Sequence, residues 1–99
     1  MPGYNKLVAK LRDLCDNKSE IDGSNPDWQY DFMVEPHHIL GRTGDLLTDP
    51  FNIIMLTRTQ HDIEEGKIIG KKLGKDYLLK LVAARRIEQG FRPLEEVRE

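Results

Sequence analysis
The chain has 99 residues, 38% apolar and 32% charged, which allows one domain with a modest core and excludes two independent ones or extensive disorder. No run of about 18 apolar residues is present to span a bilayer, and the opening MPGYNKLVAK lacks the apolar core of a secretory signal, so a cytoplasmic protein is expected. The formal net charge of −2 hides an asymmetry: residues 1–50 carry five Lys/Arg against nine Asp/Glu, residues 51–99 ten against eight.

In the first segment Tyr4, Leu7, Val8, Leu11, Leu14 and Cys15 recur at three- and four-residue intervals, the spacing of one helix face, and predict a helix over about 4–16. Residues 17–27 (NKSEIDGSNPD) are turn formers with no apolar period and read as a connecting loop. Trp28, Tyr30, Phe32, Met33 and Val34 have the aromatic and branched side chains of a strand, with Pro36 expected to end it and the pair His37 and His38 to follow. The stretch LGRTGDLLTDP reads as an exposed connection, and 51–56 (FNIIML) as a second strand forming a hairpin-like pair with the first.

Thr57 and Gln60 have capping-box spacing, so a helix is expected to begin near Arg58, carry His61 on an early turn and stop at Gly66. Lys67, Lys71, Lys72 and Lys75 follow within 66–75 with no acid among them, a local field suited to phosphate that also reads as a solvated loop. A last helix is expected over about 75–89, with Tyr77, Leu78, Leu81, Val82, Ala84 and Ile87 on its apolar face and Gly90 and Pro93 stopping it. The single cysteine excludes an internal disulfide and a Cys-based zinc knuckle, leaving His, Asp, Glu and Asn to hold any metal.

The three histidines of the chain lie in two places, the pair His37 and His38 and the helix residue His61. Neutral imidazole binds divalent ions, and its unperturbed pKa near 6.5 also suits proton abstraction around neutrality. Adjacent residues of an extended segment point to opposite sides, so one histidine of the pair can ligate a metal while the other addresses water. Hydrolysis of a phosphodiester needs such a base together with a positive centre.

The segments EPHHILGR, DPFNIIML and TRTQH, taken in that order, resemble the motif of the HNH endonuclease family. His38 precedes Asn52 by fourteen residues and Asn52 precedes His61 by nine, and it is this combined order and spacing that carries the resemblance, over roughly residues 30–67. It implies an α+β fold in a single domain, a ββα-metal (HNH) core with flanking N- and C-terminal helices. The activity it implies is metal-dependent endonucleolytic cleavage of DNA, leaving 5′-phosphate and 3′-hydroxyl ends.

Carried over residue by residue, the resemblance makes His37 and His61 metal ligands, His38 the general base, and Asn52 the side chain that hydrogen-bonds backbone beside the base to fix its orientation. Family members often have a further ligand one helical turn after the last His, which points to Glu65, with Asp62 and Glu64 as competitors. The implied cofactor is one divalent ion, Mg²⁺, Mn²⁺, Ni²⁺ or Zn²⁺, and a histidine-rich shell favours the transition ions. Arg42 and the four lysines become candidate DNA contacts.

Many family members also carry Cys pairs for a structural zinc, which are absent here, so Trp28, Phe32, Phe51, Ile54 and Leu56 are expected to hold the core by packing. Stand-alone members of this size are frequent in phages and mobile elements. The apolar first helix is compatible with a homodimer, and the lack of a recognition helix with a separate targeting partner. Two other readings fit parts of the sequence: a catalytically inactive ββα nucleic-acid-binding module, and a helical interaction domain that leaves the His and Asn spacing as coincidence.

Overall fold
The computed structural model describes residues 2–27 and 32–93. They form an α+β fold of three α-helices and a two-stranded antiparallel sheet: α1 (Pro2–Leu14), β1 (Glu35–His38), a 3₁₀ turn (Gly44–Thr48), β2 (Ile53–Leu56), α2 (Arg58–Glu64) and α3 (Lys75–Glu88). No helix among them is long and apolar enough to cross a membrane.

The run IIML of β2 is buried along its whole length because the sheet is covered on both faces. Strand side chains alternate, so Ile53 and Met55 pack with Val8 and Leu11 of α1 and with Val34, while Ile54 and Leu56 pack with Ile39 and with Leu78 and Val82 of α3. The register pairs His38 with Ile53 and His37 with Ile54, so the two adjacent histidines face opposite layers.

The strand expected to run up to Val34 and stop at Pro36 lies differently. Phe32 is left-handed at φ 55° and 60% exposed, and the backbone of Val34 is held by side chains: its N–H donates to Asn17 Oδ1 at 3.0 Å and its carbonyl accepts from Arg12 Nε at 3.1 Å. With those groups engaged, the ladder starts at Glu35 and runs through Pro36 to both histidines. Pro36 is tolerated because it sits opposite Met55 in a non-hydrogen-bonded pair; Met55 turns its own N–H outward to Glu20 Oε1. Trp28 and Tyr30 fall outside the described residues. Of the expected core side chains, Ile54 and Leu56 are fully buried, Phe51 is half-buried, and exposed Phe32 contributes nothing.

Helix α1 stops at Leu14, two residues short of expectation, because Asp16 and Asn17 both turn left-handed; Leu14 itself is 43% exposed. Half-buried Cys15 donates its thiol to Arg12 O at 3.4 Å, and burial pushes its pKa up. The ends of α2 and α3 follow their local signals. The Thr57/Gln60 box is closed in both directions, and Gly66 and Gly90 take positive φ where Lys67 N–H reaches Asp62 O and Phe91 N–H reaches Arg86 O, the six-to-one bond of a Schellman ending.

The buried face of α3 departs from the expected one. Tyr77 and Ile87 are each 51% exposed and Ala84 is exposed, whereas the inward stripe is Leu78, Val82 and Arg86. The Arg86 side chain, fully buried, makes a bidentate pair with Glu20 at 2.7 and 2.6 Å and gives its other donors to Pro50 O, Ile53 O and Gln89 Oε1. All five guanidinium N–H groups are thereby satisfied, and Glu20 and Arg86 together cap the outer edge of β2.

Candidate functional site
Glu35 and His37 lie two residues apart on β1 and so project from the same face, toward α2. His61 on α2 meets both: its ring lies edge-on to His37 with centroids 5.2 Å apart, and its Nδ1 is 3.1 Å from Glu35 Oε1. One turn further along, Glu65 brings Oε1 to 3.2 Å from His61 Nε2. Ligand atoms of His37, His61 and Glu65 all lie within 4.8 Å of one another, a group able to hold a metal ion. Of the two competitors for the third position, Glu64 is engaged elsewhere, accepting from Leu73 N and Gly74 N, and Asp62 is not in the group.

The donor set fits a divalent transition ion. Two imidazoles and one carboxylate leave coordination positions open for water or substrate, as catalytic sites require and closed structural sites do not. His37 is 7% exposed and its Nδ1 is buried with no hydrogen-bond partner, while both ring nitrogens of His61 face carboxylate oxygens. A cation between His61 and Glu65, or a proton on both nitrogens of His61, satisfies that arrangement. Burial above all, with His61 as the next contribution, lowers the pKa of His37 and favours the neutral form that binds metal. Burial pushes the Glu65 carboxyl up, but His61 and Lys67 outweigh it and hold the group below its ordinary value.

Glu35 is the residue that the sequence reading did not single out. Its carboxylate takes Arg58 Nε at 2.6 Å on one oxygen and His61 Nδ1 on the other, which orients the His61 ring and fixes its Nδ1 as a donor. The signal was present in EPHH, since alternation along a strand that includes Pro36 puts Glu35 beside His37.

His38 points to the other face of β1, where its ring stacks on Tyr4 of α1 with centroids 5.8 Å apart. Its Nε2 lies 3.1 Å from Leu47 O; a carbonyl only accepts, so Nε2 carries the hydrogen and Nδ1 keeps the lone pair. Burial lowers the His38 pKa most; the Leu47 bond opposes this, and Arg42 and His61 add to the lowering.

Asn52, 1% exposed, ties down the loop around His38: Oδ1 accepts from Leu40 N at 2.7 Å, and Nδ2 donates to Gly41 O and Leu46 O, both at 2.9 Å. The loop that supplies Leu47 O is thus pinned at both ends by one amide. Arg42 is exposed on the same loop with its guanidinium 5.7 Å from the Tyr4 ring centroid. Lys67, Lys71, Lys72 and Lys75 are all exposed just beyond the ligand-bearing helix, Lys67 within 3.4 Å of Glu65. No family model, curated protein or solved structure matches this chain.

Proposed function
We propose that the protein is a metal-dependent endonuclease of the HNH kind that hydrolyses DNA phosphodiester bonds. The observation that carries this reading is the division made by β1: His37 joins His61 and Glu65 in a three-ligand group on one face, while His38 presents an available Nδ1 on the other. The succession β1, β2, α2 in the chain, with Asn52 pinning the loop beside His38, supports a ββα-metal core.

In this reading His37, His61 and Glu65 hold one divalent ion, which when bound supplies positive charge to the phosphoryl and departing 3′ oxygens. His38 accepts a proton from the attacking water at Nδ1, and its bond to Leu47 O holds the ring in the tautomer that does so. Asn52 keeps Leu47 in place by fixing the loop on both sides. Glu35 acts through His61 as a positioning residue. Arg42 and the lysines of 67–75 contact the phosphates flanking the cleaved one.

The direct 3.2 Å contact between His61 and Glu65 favours one other reading, a catalytically inactive nucleic-acid-binding module in which a protonated His61 bridges Glu35 and Glu65 with no metal. Incubating supercoiled plasmid with the purified protein in EDTA, Mg²⁺, Mn²⁺, Ni²⁺ or Zn²⁺ separates the two. The endonuclease is expected to nick with at least one ion and never in EDTA. DNA binding of equal strength with and without metal, and no nicking under any ion, would replace it by the binding module.

Glu35→Gln provides a second check, read by calorimetric titration of Ni²⁺ or Mn²⁺. Loss of the carboxylate partner of a ligating histidine should weaken metal binding by about 10- to 100-fold. An unchanged affinity would remove Glu35 from the centre.

A further inference from the structure
The segment between α2 and α3 is pinned at its base and apolar at its tip. Glu64 accepts from both Leu73 N and Gly74 N, at 2.8 and 3.3 Å, and the Lys72 ammonium lies beside Gly66. Gly70 packs so closely on Ile63 that a Cβ there would fall 2.7 Å from its side chain, so any larger residue would force one of the two to shift. Held this way, Ile68 is 46% exposed and Ile69 fully exposed, with lysines at 67, 71 and 72 around them. An isoleucine held wholly in water gains about 1.5–3 kcal/mol when a partner buries it, and the lysines around it set a positive field for that partner.

From this geometry we infer that Ile69 is a wedge that enters the base stack of DNA beside the cleaved phosphate, and that the enzyme prefers DNA with an unstacked or kinked step. The inference rests on the endonuclease reading and adds a class of substrate to it. Apolar side chains inserted between base steps kink a duplex, and the flanking lysines supply the phosphate contacts that such a wedge requires. Ile69 follows the ligand Glu65 by four residues, a span of at most about 14 Å between their backbones, so the wedge acts close to the cut. A second copy of this chain is disfavoured as the occupant, because symmetric pairing through the tip would set lysines against lysines. Two isoleucines are also a small anchor for a lipid surface.

The test is binding in EDTA, followed by anisotropy, of a perfect duplex and of the same duplex with a one-nucleotide bulge next to 2-aminopurine. The wild-type protein should bind the bulged DNA at least about tenfold more tightly and raise the 2-aminopurine fluorescence. Ile69→Ser should abolish both effects while keeping its affinity for the perfect duplex. The pair Lys72→Gln and Lys75→Gln should weaken both DNAs alike and reduce the salt slope by about 1 per lysine.

Equal binding of the two DNAs by wild type, a preference that survives in Ile69→Ser, or no binding to either DNA would overturn the wedge. So would Ile69-dependent retention on phosphatidylserine vesicles without an Ile69 effect on DNA, which would assign the tip to a lipid surface. A protein that nicks plasmid without any Ile69-dependent preference loses only the wedge. One that shows the preference yet fails to nick plasmid under any ion keeps the wedge and loses the nuclease.

Discussion

Replacing His38 with alanine should lower metal-dependent nicking by at least about a hundredfold, the minimum expected of a general base, while leaving metal uptake largely intact. The two effects separate because His38 stands on the α1 face of β1, stacked on Tyr4, whereas His37, His61 and Glu65 meet on the other face. His38→Gln sharpens the test. Its amide can still donate toward Leu47 O, but it has no basic nitrogen to take a proton near neutrality. The same loss in both variants assigns the proton transfer to His38. Activity retained in His38→Gln would make the residue a support for the 40–47 loop, and equal loss of cleavage and metal binding would remove its assignment as base. Metal uptake can be followed by the rise in melting temperature that a ligand of the folded state produces.

What the sequence discloses about this fold is what depends on near neighbours. The Thr57/Gln60 box and the glycine endings of α2 and α3 were readable because every group involved lies within six residues of its partner. The grouping of His37 with His61 was accessible only through a spacing pattern shared with a family, since 24 residues separate them in the chain. Glu35 is hidden in the sequence because a proline next to it reads as the end of a strand. A proline in a non-hydrogen-bonded pair of a two-stranded sheet costs the ladder nothing, so the strand continues and carries Glu35 onto the face of His37.

Two other features differ from the sequence pattern for a common reason, side chains that replace backbone partners over long distances. Asn17 and Arg12 occupy the backbone of Val34, which displaces the start of β1. Arg86 occupies the outer carbonyl of Ile53, which rotates α3 so that a charged residue faces inward and Tyr77 and Ile87 face out. A charge at an apolar-face position reads as an interruption of the helix pattern unless its partner is known. Here that partner is Glu20, in a loop of turn formers 66 residues earlier.

Glu20→Gln should therefore destabilise the protein by about 3–5 kcal/mol, as for any buried pair that loses one partner, and lower the melting temperature by more than about 10 °C. The Glu20 and Arg86 side chains are 1% and 0% exposed, so water cannot take over the role of the missing charge. The guanidinium would stay buried with its charge uncompensated, while Met55 N–H would keep only an amide oxygen as acceptor. That is a large part of the roughly 5–15 kcal/mol by which a domain of this kind is stable. The double change Glu20→Gln with Arg86→Met removes the stranded charge as well and should cost less than the two single changes added together, a coupling that urea denaturation of the four proteins measures. Additive losses, or a loss below about 1 kcal/mol for Glu20→Gln, would show that the pair does not hold the edge of β2 to α3. Because Arg86 also binds Pro50 O, two residues before Asn52, weakening this pair should loosen the 40–52 loop before the helices melt, and nicking should fail at a lower urea concentration than the helical signal.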